Sequence, residues 1–127
     1  MEYKREKYLN KLIELERVPI IKVITGLRRC GKSYLLNNIF YRYLINKGIK
    51  SDHIIKIEFD KKENAIYRDA DFCLKYLKEV IVDNDTYYYL LDEVQLIKDK
   101  NDPNNKSSFF EVLNSLLHIE NTNIYVT

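Results

Sequence analysis

Apolar positions along the chain alternate between helical and strand spacing. From Tyr3 to Arg17, residues Tyr8, Leu9, Leu12, Ile13 and Leu15 recur near the helical period and Pro19 closes the segment, which predicts an amphipathic helix over 3–17. Ile20 to Thr25 (IIKVIT) is β-branched and nearly continuously apolar, the pattern of a strand covered on both faces. After a glycine-bounded loop, Leu35, Leu36, Ile39, Phe40, Tyr43 and Leu44 keep one side of a helix apolar until Gly48 supplies a stop. His53 to Phe59 reads as a second strand. The helix after it is capped by Asp69 or Asp71 and buries Phe72, Cys73, Tyr76, Leu77, Val80 and Ile81. Asp83 to Thr86 form a turn, and Tyr87 to Leu91 (YYYLL) form a third strand that runs into Asp92 and Glu93. A polar loop, 98–106, surrounds Pro103. Ser108 and Glu111 have capping-box spacing ahead of a helix with Phe109, Val112, Leu113, Leu116 and Leu117 on its face, and Asn123 to Val126 form a fourth strand.

Apolar strands alternating with helices specify an α/β fold, a parallel sheet between two helical layers. The 127 residues suit one domain spanning 1–127. The chain stops at the tip of an apolar strand with no closing helix, so the expectation is an amino-terminal fragment truncated after the fourth strand. Lys, Asn, Ile and Tyr richness reads as a genome-wide bias, and no internal repeat is visible.

Composition narrows the function classes. No apolar run approaches the length of a membrane span, and the amino terminus (MEYKREKYLNKL) lacks a secretory pattern, so the expectation is a cytoplasmic protein with no membrane partner. Two cysteines, Cys30 and Cys73, offer neither a disulfide framework nor a zinc spacing. A net charge of +2 does not indicate nucleic acid, and the amino-terminal lysines and arginine alternate with glutamates as on a solvated helix face. The 11 tyrosines fall mostly at core positions, Tyr87, Tyr88 and Tyr89 in a strand and Tyr41 and Tyr43 on a helix, where packing explains them better than base stacking.

The chemistry concentrates in GLRRCGKS, Gly26 to Ser33, which satisfies G-x-x-x-x-G-K-[ST]. Chance produces this pattern in roughly one chain of this length in several hundred, and its position between a strand and a helix lowers that further. Backbone N–H groups and a helix N-terminus converge there on an anion. The cofactor-binding set is Gly26, Leu27, Arg28, Arg29, Cys30, Gly31, Lys32 and Ser33. The glycines let the backbone approach the phosphates, Lys32 reaches the β- and γ-phosphates, and the Ser33 hydroxyl ligates magnesium. The complementary acid is Asp92, a metal ligand together with Ser33, and Glu93 is the catalytic base that orients and deprotonates water. Neither a D-x-x-G segment after Asp92 nor an N-K-x-D segment occurs, so adenine is favoured over guanine.

Other candidates stay open. Arg28 and Arg29 either add charge at the phosphates, reach a partner subunit, or are solvated loop charges. Gln95 either reports phosphate state or is a polar helix-entry residue. Cys30 is a reactive thiol or a small filler, and His53 and His118 read as structural residues.

Three segments, IIKVITGLRRCGKSYLL, YYYLLDEVQ and FFEVLNSLLHIENTNIYVT, resemble the amino-terminal ATPase core of prokaryotic AAA-type ATPases, nearest to the group in which a carboxy-terminal domain of unknown function follows. The resemblance covers essentially the whole chain and implies a P-loop NTPase three-layer sandwich with the sheet in the AAA order. It implies ATP and Mg²⁺ as cofactors, Mg-dependent hydrolysis, and as partners either a carboxy-terminal domain or further copies of the chain. In that family a γ-phosphate sensor, an arginine finger and a helical lid follow the strand that here reaches Thr127, with Thr127 at the edge of the sensor. Two alternatives stand beside hydrolysis: a non-catalytic nucleotide-binding fragment, and a helicase-like nucleic-acid motor suggested by the D-E-x-Q form of Asp92 to Gln95.

Overall fold

The computed structural model describes residues 2–16, 18, 20–24, 29–102, 104 and 108–127, with the side chains of 2–5, 29 and 30 left out. The chain forms an α/β sandwich in the order α1 (Glu2–Glu14), β1 (Ile21–Val23), α2 (Arg29–Tyr34), a π-helical segment (Leu35–Phe40), α3 (Tyr41–Lys47), β2 (Ile54–Glu58), α4 (Ala70–Glu79), β3 (Tyr87–Asp92), α5 (Ser108–Leu117) and β4 (Thr122–Val126). The strands make one four-stranded sheet in the order β1-β4-β3-β2, every neighbouring pair parallel. The chain therefore crosses from β1 to the far edge at β2 and steps back through β3 to β4.

Side-chain alternation along the central strands splits the core in two. Tyr87, Tyr89 and Leu91 join Ile55, Ile57, Ile124 and Val126 on the face covered by α4 and α5, where Cys73, Leu77, Val112, Leu113 and Leu116 pack. Tyr88 and Leu90 join Ile54, Tyr125 and Ile24 on the other face, against Leu12, Leu35, Leu36, Phe40 and Leu44. Buried tyrosine hydroxyls find acceptors: Tyr89 donates to the Leu77 carbonyl and Tyr125 to the Leu12 carbonyl. Burial pushes the Cys73 thiol up to about 12, so it is an inert core group.

Local signals hold at several ends. Asp69 is the α4 cap, accepting from the Phe72 N–H at 3.3 Å. Gly48, at φ 104°, closes α3 with its N–H on the carbonyls of Ile45 and Leu44. Asp83 accepts from the Asp85 N–H at 3.0 Å within the expected turn.

Four expectations need correction. The first helix ends at Glu14 instead of Arg17, because the chain tightens where the Glu16 N–H reaches the Ile13 carbonyl. β1 is an edge strand and is not covered on both faces: Val23 is 59% exposed, while Lys22 is buried and donates to Asn123 Oδ1 at 3.1 Å. Phe72 is 40% exposed and not part of the buried face, since Ala70, Cys73 and Leu77 form the buried stripe of α4. The helix after the phosphate loop is interrupted by the wider π turns of Leu35–Phe40.

A buried polar cluster lies near the amino ends of the strands. Glu16 accepts from Tyr88, Tyr43 and Lys47. Burial alone would raise its carboxyl, yet the hydrogen bonds from Lys47 and Tyr88 and the Lys47 charge hold it below the ordinary value. Burial pushes the Lys22 ammonium down, opposed by the Glu16 charge.

Candidate functional site

The carboxyl ends of β2, β3 and β4 and the start of α2 meet on one side of the sheet, where parallel α/β folds place their ligands. Gly26, Leu27 and Arg28 lie outside the described residues, as do the side chains of Arg29 and Cys30. α2 begins at Arg29, so the last five residues of the expected phosphate loop are helical, and of these Gly31, Lys32 and Ser33 are all half-buried. The Ser33 hydroxyl donates to Asp92 Oδ2 at 2.8 Å, so the two expected metal ligands, 59 residues apart in sequence, touch.

Asp92 is 2% exposed at the end of β3. Its other oxygen, Oδ1, accepts from the Thr127 hydroxyl, and that same hydroxyl oxygen accepts from the Glu93 N–H at 3.1 Å. Backbone bonds lock this corner: the Thr127 N–H reaches the Leu91 carbonyl at 3.0 Å, and the Phe59 N–H reaches the Asp92 carbonyl at 3.0 Å. A buried carboxylate accepting from two hydroxyls is fixed in rotamer and direction.

Glu93 stands at φ 62°, ψ 50°, the left-handed region, and among the described residues no other non-glycine has positive φ. A β-carbon there costs roughly 1–2 kcal/mol, and such outliers cluster at functional sites. The conformation turns the chain sharply out of β3, leaving the Glu93 carboxylate half-exposed with the Gln95 amide donating to its Oε2.

Two residues join the site that the sequence reading did not select. Asn37, in the π-helical segment, directs Nδ2 toward Asp92 Oδ2 at 3.5 Å and Glu58 Oε1 at 3.4 Å. Glu58 ends β2 opposite Asp92 in register and pairs with Lys61 at 2.6 Å; that hydrogen bond and charge raise the Lys61 ammonium. A cleft of about 370 Å³ opens here, with Ser33, Tyr34, Glu58, Asp60, Lys61 and Asp92 among its lining. The available signal for Asn37 was its place four residues after Ser33, a polar side chain on an otherwise apolar helical stripe. Thr127, which the family resemblance puts at the edge of a sensor, joins Asp92 to the Glu93 backbone through its hydroxyl.

The donor set suits a hard divalent cation: one hydroxyl, a buried carboxylate and a second carboxylate nearby, all oxygen. Among the described residues the buried Asn37 Oδ1 has no hydrogen-bond partner, and an acceptor so placed matches the water that magnesium retains when it binds protein. These residues therefore fit Mg²⁺.

Residues 19–127 match the family described as AAA domain. An uncharacterized protein of Haemophilus influenzae is 34% identical over 125 residues, which are 97% of this chain and 28% of that protein. An uncharacterized protein of Methanocaldococcus jannaschii is 37% identical over 95 residues, 74% of this chain and 20% of that protein. The chain thus spans about a quarter of the length of the curated relatives it matches. No solved structure matches it. Among the described residues, no helix is long and apolar enough to cross a membrane.

Proposed function

The chain belongs to the AAA domain family of nucleotide-binding proteins, and from that premise we propose that it binds ATP with Mg²⁺ and hydrolyses it, coupling hydrolysis to conformational change in a longer protein. The observation that carries the reading is the 2.8 Å bond from Ser33, the last residue of the phosphate-loop motif and part of α2, to the buried Asp92 at the end of β3. The motif Gly26 to Ser33 supplies the phosphate-binding residues, with Lys32 adding its ammonium. Ser33 and Asp92 would hold Mg²⁺, which would offset phosphate charge and polarise the bond that breaks. Glu93 orients water and takes its proton, supported at its backbone by Thr127.

Phosphate release with Mg²⁺, measured on wild type, Lys32→Ala and Glu93→Gln, tests the reading. Turnover in wild type, lost binding in Lys32→Ala, and retained binding without turnover in Glu93→Gln are the expected results. Saturable ATP binding with no phosphate release in wild type would replace hydrolysis with a nucleotide-binding role. Stimulation by single-stranded DNA would favour the motor reading.

A further inference from the structure

Asn37 is buried to 5% exposure in the core-facing stripe of a helix, where a leucine of similar size would pack without an unmet hydrogen bond. Its Nδ2 faces two carboxylates, Asp92 and Glu58, carried by adjacent strands. Carboxylates only accept, so they fix the amide with its N–H₂ toward them and leave Oδ1 as an acceptor without a partner among the described residues. The backbone is anchored as well: the Asn37 carbonyl accepts from Lys56 Nζ at 3.3 Å, and that ammonium lies 4.4 Å from the centre of the Tyr41 ring. The polar side chain is thus held in one orientation beside the cation ligands.

Resting on the Mg·ATP reading above, we propose that Asn37 is the positioning residue of the cation site. Its N–H₂ ties the Asp92 carboxylate to that of Glu58, and its Oδ1 accepts from the hydration shell that magnesium keeps. Glu58 is thereby the outer carboxylate of the site, contributing charge without displacing water. Mg²⁺ dehydrates reluctantly and is held largely through its waters, so acceptors outside the direct ligands decide how tightly it sits. Asp92 Oδ2 receives both the Ser33 hydroxyl and the Asn37 amide, which together set the direction of that carboxylate.

The test uses Mn²⁺ as the probe, its uptake with ATP followed by the loss of the free-ion paramagnetic resonance signal. ATP affinity in chelator and the melting temperature are measured in parallel on wild type, Asn37→Leu, Asn37→Ser, Glu58→Gln and Asp92→Asn. Loss of an outer-shell partner typically weakens metal binding about 10–100-fold. Asn37→Leu is expected to lose Mn²⁺ affinity in that range while keeping metal-free ATP affinity and a melting temperature at or above wild type. A merely structural asparagine would give the reverse, a lower melting temperature with intact Mn²⁺ affinity. Asn37→Ser, smaller and easily accommodated, is expected to lose Mn²⁺ affinity too, and Glu58→Gln to weaken it. Wild-type Mn²⁺ affinity in either Asn37 variant, with uptake still dependent on Asp92, overturns the role of Asn37 alone. A wild type that takes up no Mn²⁺ with ATP overturns the Mg·ATP reading and this role with it.

Discussion

Glycine at position 93 should make the chain more stable and catalytically dead. Glu93 carries a side chain at φ 62°, where the β-carbon crowds the following carbonyl at a cost of roughly 1–2 kcal/mol. Glycine removes that cost but adds unfolded-state entropy of roughly 0.5–1 kcal/mol. The amide contact from Gln95 is also lost, but it lies at an exposed side chain and contributes at most a few tenths of a kcal/mol. The Glu93 N–H still reaches the Thr127 hydroxyl, since the backbone is unchanged. The balance favours Glu93→Gly by about 0.5–1 kcal/mol, or a melting temperature ~2–4 °C higher for a domain of this size. Glu93→Gln, which keeps the β-carbon, should leave stability near wild type. Urea unfolding of the three proteins gives the comparison as midpoint shifts at constant slope. A Gly variant no more stable than the Gln variant would refute the strain argument, and hydrolysis surviving in either would refute the role of the carboxylate.

Gly48→Ala, at φ 104° in the α3 cap, should cost about 1–2 kcal/mol despite open space around the new β-carbon, read from the same urea midpoints. Leu113→Ala, in the core between α5 and the sheet, should cost about 2–4 kcal/mol by thermal or urea unfolding. The Glu16 carboxyl lies lower in the folded chain than in the unfolded one, so its contribution is complete above about pH 4, the ordinary carboxylate value, and is lost as pH falls through its lower folded value. Glu16→Gln should therefore destabilise the chain at neutral pH and flatten the acid limb of its stability profile, checked by melting temperatures between pH 7 and pH 3.

Much of the architecture was legible because the apolar periods switch cleanly. YYYLL alternates onto two faces that both need cover, and the helical stripes of α4 and α5 supply one of them. The 2.8 Å meeting of Ser33 and Asp92 was legible for the same reason, since a residue in the helix after β1 and one ending a parallel strand of the same sheet reach one end of the sheet, even though β4 lies between β1 and β3. What escaped depends on partners remote in sequence. Val23 reads as core, yet β1 lies at the sheet edge. Glu16 reads with the glutamates of a solvated helix face yet is buried beside Tyr88 and Lys47, and Lys22, the one charge inside IIKVIT, is buried beside Asn123. The left-handed turn at Glu93 carries no composition signal, because glutamate has no preference for that region, and it persists through the Thr127 and β3 contacts around it.

The central claim is that the phosphate loop and Asp92 build one Mg·ATP site, and calorimetric titration of ATP into the chain with and without Mg²⁺ tests it most directly. The account predicts saturable one-to-one binding that Mg²⁺ tightens in wild type and does not tighten in Asp92→Asn. Absence of saturable binding, or binding indifferent to Mg²⁺ in wild type, would contradict it.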